Sequence, residues 1–253
     1  MKAINCIECL NTSCLVKLCS DEWIHKIDYF KSQALYKKDQ NIFNEGFQVF
    51  GIFFIQNGKV KVYTTGLNDR EQIVRFAIDA DILGHRSNGN DFYPVTATAL
   101  DDSFICFIKN ETLNEMFLTN PYFVIELMMY YSAELRKLEN RIKNIAQMNL
   151  QEKTAETLLL MFENFGLTNN YELNVPFSRE DYAKTAGTTR QQIVMQLTEF
   201  EKEGLIEKRG KKIALLNVEA LQTLISSYTS HKYQPENFRM PIPQNMTPVK
   251  VHL

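Results

Sequence analysis

The sequence predicts an α+β chain in three successive parts: a β-rich first half, a long amphipathic helix, and a compact α/β unit followed by an irregular tail. Three observations predict it. Between Ala34 and Phe107, short β-branched and aromatic runs alternate with turn residues at nearly regular spacing, the pattern of an all-β sandwich or barrel. From residue 111 to 165 the turn residues disappear and apolar residues recur at helical spacing. Beyond residue 176, two helix starts are followed by two short strands around a glycine.

Composition bounds the function classes. With 253 residues, 45% hydrophobic and 23% charged, the chain has material for two domains and is neither disordered nor fibrous. Apolar stretches such as Val49 to Ile55 are far shorter than the roughly 20 residues of a membrane span. The N-terminus carries no basic region followed by an apolar stretch and a cleavage site. We therefore expect no membrane partner, no signal peptide and a cytoplasmic location. Four scattered histidines (His25, His85, His231, His252), no nucleophile motif, no P-loop and no dinucleotide fingerprint leave nothing to assign to catalysis. An enzyme is not expected.

The first element is a cysteine segment. Cys6, Cys9, Cys14 and Cys19 fall in the first 19 residues, and Cys106 stands alone. In a cytosolic chain of this size, metal or redox chemistry explains such clustering better than a disulfide framework. Next, Ser20 is placed to cap a short helix whose apolar face is Trp23, Ile24, Ile27 and Tyr29/Phe30. The β-rich stretch follows, with Asn57-Gly58 as a hairpin signal because both central residues of a type I′ turn need positive φ.

In the long helix a heptad places Met128, Leu135 and Ile142 at a, and Val124, Tyr131, Leu138 and Ile145 at d, with Asn149 at the next a position. Flanked by charges, these positions predict the seam of a parallel homodimer, in which Asn149 favours a two-stranded register. The alternative is a single long helix lying on the barrel. A further helix runs from Gln151 to about Gly166, and the tail from Lys232 holds four of the seven prolines.

Ser178 followed by Asp181, and Thr188 followed by Gln191, have the form of capping boxes. Gly187 lies between them, where a sharp turn needs positive φ. Ala183, Gly187 and Ile193 occupy positions 5, 9 and 15 of a helix-turn-helix. The second helix buries Ile193, Leu197 and Phe200 and turns Thr189, Arg190, Gln191, Val194 and Met195 outward, as a recognition helix does toward a major groove. Leu205 to Leu216 then forms a wing with Lys208, Arg209, Lys211 and Lys212 at its tip, suited to phosphates. The candidate DNA-contacting set is Ser178, Arg179, Thr188, Thr189, Arg190, Gln191, Gln192, Val194, Met195, Lys208, Arg209, Lys211 and Lys212. From Pro176 to Glu219 there are eight Lys/Arg and seven Asp/Glu, so attraction to DNA depends on local placement of charge.

This order of parts resembles the CRP/FNR family of bacterial transcription regulators, over about residues 20–225. The resemblance is carried by Lys38-Asp-Gln-Asn-Ile-Phe-Asn-Glu-Gly46, Phe54-Ile-Gln-Asn-Gly58-Lys-Val-Lys-Val-Tyr63, Asp81-Ile-Leu-Gly84, Lys153-Thr-Ala-Glu-Thr-Leu-Leu159, and Ser178 through Gly210. It implies a cyclic-nucleotide-binding-like double-stranded β-roll sensor (20–120), a dimerisation helix (121–150) and a winged helix-turn-helix DNA-binding domain (151–231), flanked by the cysteine-rich segment (1–19) and the Pro-rich tail (232–253), which its composition marks as disordered. It also implies a dimer on palindromic promoter DNA in contact with RNA polymerase.

Cyclic-nucleotide members carry a Phe-Gly-Glu motif and, about ten residues later, Arg-Ser-Ala. Here the matching stretches are Leu83-Gly84-His85 and Tyr93-Pro94-Val95, and the adenine-facing hydroxyl pair aligns with Leu138 and Glu139. Without the guanidinium the phosphate loses its bidentate partner, so no cAMP binding is expected. His85 itself is expected at the surface. FNR-like members hold a [4Fe–4S] cluster on three N-terminal cysteines, roughly Cys-x2-Cys-x5-Cys, plus one from the β-roll. The resemblance thus implies four ligands among Cys6, Cys9, Cys14, Cys19 and Cys106 and a sensor of oxygen, NO or redox state. A zinc site and unligated cysteines remain open, as does Cys106 as a small hydrophobe facing into the roll.

Within the family, Arg190 matches a guanine-reading position, while Gln191 and Met195 depart from the usual acidic residue and Arg; the operator is expected to differ from both family consensus sites. The rivals are a regulator answering an unidentified small molecule in the roll, or none, and a DNA-free interaction protein with a degenerate wing.

Overall fold

The computed structural model describes residues 4–85 and 91–229; the expected irregular tail lies outside them. After α1 (Asp21–Phe30), eight strands form two antiparallel sheets: β1 (Ser32–Tyr36), β2 (Asn41–Phe43), β3 (Gly51–Asn57), β4 (Val60–Thr65), β5 (Glu71–Ala77), β6 (Ile82–Leu83), β7 (Thr96–Ala99) and β8 (Ser103–Lys109). One sheet has the order β1-β8-β3-β6 and the other β2-β7-β4-β5. Between them lie Phe43, Phe53, Ile55, Val60, Val62, Leu83, Tyr93 and Ile105. Strand β3 is covered on both faces, which explains its unbroken apolar run: Phe53 and Ile55 point between the sheets, whereas Ile52 and Phe54 meet α1 and the helices beyond β8.

Asn57-Gly58 does not close a hairpin. β3 pairs with β8 and β6, β4 with β5 and β7, so the chain crosses from one sheet to the other at this corner. Gly58 is required there, because its φ is +147° and a Cβ would fall 2.2 Å from Ser103 Oγ. The true hairpin joins β4 to β5, where the Gly66 N–H donates to Arg70 O. Helix α1 buries Trp23, Ile24 and Ile27, but Tyr29 and Phe30 are largely exposed. Two residues beyond Ile27 is a rotation of about 200°, which turns Tyr29 off the buried face. Ser20 occupies the N-cap without a side-chain bond.

Three helices follow: α2 (Asn110–Thr119), α3 (Pro121–Gln147) and α4 (Leu150–Phe165). Pro121 starts α3 with its fixed φ. The heptad does not continue to Asn149. That residue is the N-cap of α4 and forms a reciprocal capping box with Glu152, so it sits in a break between helices rather than in a seam. The remaining elements are α5 (Arg179–Ala186), α6 (Arg190–Lys202), β9 (Ile206–Arg209), β10 (Lys212–Leu215), α7 (Val218–Leu224) and α8 (Ser226–Thr229). Their core includes Leu158, Met161, Ile193, Leu197, Phe200 and Ile213, and it continues into Ile73 and Phe76 of β5. Among the described residues no helix is long and apolar enough to cross a membrane.

Candidate nucleic-acid interface and thiol site

Ser178 caps α5 in a reciprocal box with Asp181, and Gly187 ends the helix in the left-handed region at φ +64°. The second start lies one residue later than the sequence suggested: Thr189, not Thr188, is the N-cap, and Gln192, not Gln191, is its partner. Gln192 Oε1 accepts from the Thr189 N–H and hydroxyl and from the Thr188 hydroxyl, so both Thr188 and Gln192 are engaged in the cap. Gln191 is thereby left outside it. As expected, Ile193, Leu197 and Phe200 are buried, and Thr189, Arg190, Gln191, Val194 and Met195 are exposed on the opposite face of α6.

The wing is less free than its composition suggested. Lys208 pairs with Glu201 at 2.9 Å, Arg209 with Glu207 at 2.6 Å, and Lys212 with Glu172 at 2.6 Å. Arg179 donates to the carbonyls of Gly210 and Lys211, tying the wing turn to the start of α5. Glu201 and Glu207 were among the seven acidic residues of the local charge count, which does not show which cations they pair; Glu172 lies outside that stretch.

The cysteines converge at the other end of the molecule. Cys106 does not face into the roll: along β8 it alternates with Ile105 and Phe107 and looks outward toward α1 and the N-terminal segment. Lys31 Nζ donates to Cys6 Sγ at 3.1 Å and to Ile4 O at 3.0 Å, and pairs with Asp28 at 2.6 Å. Asp28 in turn accepts the Cys6 N–H at 2.7 Å. Gln33 Nε2 donates to Cys106 Sγ at 3.3 Å and to Ile4 O at 2.9 Å. Asn11 ties the loop to the carbonyls of Ile55 and Gln56. Cys19 is the most buried of the five and directs its thiol at Met116 Sδ, 3.7 Å away.

Burial pushes the Cys6 thiol up to about 12, Cys14 to about 11 and Cys19 to about 12, and Cys106 upward as well. Cys14 feels Cys106 and Cys9, Cys106 feels Cys9, and Cys19 feels Cys14 and Cys6, which places all five thiols in one electrostatic neighbourhood. Among the described residues no three Cys, His, Asp or Glu groups stand in a ready-made metal arrangement. As donors, Cys6, Cys9, Cys14 and Cys106 fit an iron–sulfur group: all are soft sulfur ligands, and two already accept N–H bonds of the kind that tune cluster sulfurs.

Inside the roll, Phe43, Val62, Arg75, Leu83, Gly84, His85 and Val95 surround a cavity of about 20 Å³, room for one water molecule. His85 is 1% exposed, packed edge-on against Tyr130 and Tyr131 at 5.3 and 5.1 Å, which corrects the expectation of a surface histidine. Arg75 crosses to α3, where Nε pairs with Glu134 at 2.6 Å. A second guanidinium nitrogen donates to Ile82 O at 2.9 Å, and the third meets the Tyr130 hydroxyl. Sequence reading treated Glu134 and Arg141 as charged flanks of a coiled coil and missed these contacts. The available signal was their spacing of seven, in register with Leu127, which puts both on the face turned toward the roll.

On that helix, Met128, Leu135 and Ile142 are 66%, 56% and 61% exposed and form a stripe with Ile125. Val124, Tyr131, Leu138 and Ile145 are half-buried on this same chain. Tyr131 donates to His85 O, and Ile145 lies against Gly187. The apolar stripe therefore runs along the a positions, and the d positions lean toward the roll and the helix-turn-helix.

A profile for the cyclic nucleotide-binding domain matches residues 34–120, and one for the Crp-like helix-turn-helix domain matches 152–224. The fumarate and nitrate reduction regulatory protein of Salmonella typhimurium is 26% identical over 226 residues, covering 88% of this chain and 90% of that protein. The transcriptional activator protein FnrA of Stutzerimonas stutzeri is 25% identical over 193 residues, covering 75% and 79%. Among solved structures, FixK2 from Bradyrhizobium japonicum superposes with a TM-score of 0.68 at 23% identity, covering 77% of this chain and 96% of that one. A CooA variant from Carboxydothermus hydrogenoformans gives 0.67 at 20%, covering 86% and 97%. A roll closed onto a long helix, an outward-facing recognition helix and a wing, together with these two domain matches and end-to-end relatives, establish that the chain belongs to the CRP/FNR family of DNA-binding transcription regulators.

Proposed function

We propose that this regulator works as a homodimer on palindromic promoter DNA, in contact with RNA polymerase, and takes its signal of oxygen, NO or redox state at the N-terminal thiol site rather than from a cyclic nucleotide. The observation that carries the sensing assignment is the convergence of residues 6–14 with Cys106, held by Lys31 and Gln33. Cys6, Cys9, Cys14 and Cys106 are assigned as ligands of a [4Fe–4S] cluster, and Cys19, turned to Met116, to the core. When bound, the cluster supplies an oxidant-sensitive joint between the N-terminal segment and the roll. The chain's own residues do the rest. Asp28 and Lys31 fix the backbone at Cys6, and Gln33 orients Cys106.

At the DNA end, α6 presents Arg190 to guanine O6 and N7 as a bidentate donor, Gln191 to an adenine edge and Met195 to a thymine methyl. Lys211 and the wing meet phosphates. The exposed stripe Ile125, Met128, Leu135 and Ile142 supports a dimer through α3. The absence of the family's phosphate ligands at Leu83-Gly84-His85 and Tyr93-Pro94-Val95 supports independence from cyclic nucleotides. Anaerobic isolation is the test: a brown protein with bound iron and sulfide is expected, and a colourless, iron-free anaerobic preparation overturns the cluster assignment.

A second reading rests on a separate groove of about 250 Å³ lined by Ser32, Ala34, Tyr36, Phe53, Ile105 and Phe107, which offers space to a small apolar effector. A thermal shift with heme or a cyclic nucleotide in the iron-free protein would favour it.

A further inference from the structure

Helix α5 ends at Gly187, and the turn leads directly into α6. Within the helix-turn-helix, the N–H groups of Gly187 and Thr188 both go to Ala183 O. The carbonyls of Lys184 and Thr185, in the last turn of α5, need donors from elsewhere. The roll and the long helix supply them. Gln72 Nε2, from β5, donates to Lys184 O at 2.7 Å. Arg141, from α3, donates through one nitrogen to Thr185 O at 2.8 Å and to Ile73 O of β5 at 3.0 Å. Both hydrogen bonds of the Arg141 guanidinium go to backbone carbonyls, one of them at the negative end of a helix, where a cation is favoured, and Glu156 of α4 is the carboxylate whose charge it feels.

The same seat has ionic edges and an apolar floor. Lys184 pairs with Glu71 at 2.9 Å, and Asp181 with Lys61 at 2.7 Å. A Cβ on Gly187 would stand 3.3 Å from Gln72 Oε1 and 3.4 Å from Ile145 Cγ2, so the turn itself rests on both elements.

We propose that Arg141, with Gln72, is a positioning residue for DNA binding: it borrows one carbonyl from the roll and one from the first helix of the helix-turn-helix, and so fixes the angle of α6 to α3. A displacement of α3 is carried to α6 through this cap. The inference rests on the reading of α6 as the recognition helix.

The test uses the full chain, a duplex selected from random DNA, and an unrelated duplex, with binding followed by fluorescence anisotropy at one salt concentration. Arg141→Met is expected to weaken the selected duplex about tenfold while leaving the unrelated one within about twofold, since a coupling contact changes pose and not phosphate charge. Arg141→Lys, which retains a donor, recovers most of the loss. Gln72→Leu, a half-buried strand position, gives a smaller loss in the same direction and serves if Arg141→Met does not fold. Equal losses on both duplexes, or no loss in folded Arg141→Met, overturns the proposal alone. A wild-type chain that retains no duplex overturns the recognition-helix reading and the proposal with it.

Discussion

At the thiol end, Cys6, Cys14 and Cys19 are raised to about 12, 11 and 12 by burial, and the donors around them come from α1 and β1. At the reading end, Arg190, Gln191, Val194 and Met195 stand in solvent outside the cap, Thr189 is exposed but engaged as the N-cap, and the groups that hold the helix lie behind α6. The contrast is physical. Burial disfavours the thiolate, so these thiols are held protonated and weakly reactive. An exposed helix face must hydrogen-bond to bases without first losing internal partners, so the second end is complete on its own. Signal and readout then have to be joined by the elements between them, β5 and α3.

The largest effects are expected where the two ends are most unlike. Cys106→Ala or Cys14→Ala is expected to lower iron retained after anaerobic reconstitution at least about tenfold, because a cluster site lacks substitutes for a lost thiolate. Cys19→Ala should retain iron and instead cost about 1 kcal/mol in thermal unfolding, from the space left beside Met116. Iron loss in Cys19→Ala as complete as in Cys106→Ala would place Cys19 in the ligand set and blur the line between core and site. At the opposite end, Arg190→Ala is expected to cost about 1–3 kcal/mol on the selected duplex and little on unrelated DNA. A uniform loss on both would make Arg190 a phosphate contact.

How far these two ends were legible in sequence follows from the range of the interactions that build them. The helix-turn-helix is local: Ser178 with Asp181, Gly187, and the spacing of Ile193, Leu197 and Phe200 all act within one or two turns, and they were read correctly to within one residue at Thr189. The roll's strands were legible from turn chemistry, but their pairing was not. Asn57-Gly58 has the composition of a hairpin, and only the packing of Gly58 on Ser103 turns it into a crossing between sheets. Asn149 fits a heptad, yet Glu152 three residues on was a capping-box signal that competed with it, and the cap prevailed because the chain must turn between α3 and α4. The thiol site was visible only as a list of cysteines. That Cys106 faces away from the roll interior depends on β8 being covered on both faces, and the donors Lys31 and Gln33 come from elements 25 and 73 residues away from the thiols they meet. Arg75 carries no local motif at all, and Glu134 and Arg141 offered only their spacing of seven from Leu127.

A smaller effect tests the join between the ends. Burial alone would raise Asp181, but the bonds from Lys61 and Ser178 outweigh it and hold its carboxyl below the usual carboxylate range. A carboxylate depressed in the folded state contributes stability that is present above its unfolded pKa and is lost as the pH falls through the folded value. Lys61→Met removes the partner and leaves the burial, so its acid unfolding, followed by circular dichroism, should begin at a higher pH than that of the wild type. An unchanged acid transition would mean that the Lys61–Asp181 contact between roll and helix-turn-helix contributes nothing measurable.

The smallest effect expected concerns the wing, the one part of the reading end whose charges are already committed. Glu172 is nearly buried and holds Lys212 at 2.6 Å and Arg209 at 3.8 Å. Glu172→Gln keeps the shape and removes the charge, leaving Lys212 to phosphates while Arg209 keeps its pair with Glu207. Each additional neutralised phosphate steepens the dependence of log affinity on log salt by about 0.9, so titration of an unrelated duplex should show a slope steeper by about 1 and a few-fold gain at low salt. The preference for the selected duplex should not grow, because phosphate contacts carry no base information. An unchanged slope would show that the wing stays clear of the backbone even when freed, and that α6 alone brings this near-neutral domain to DNA.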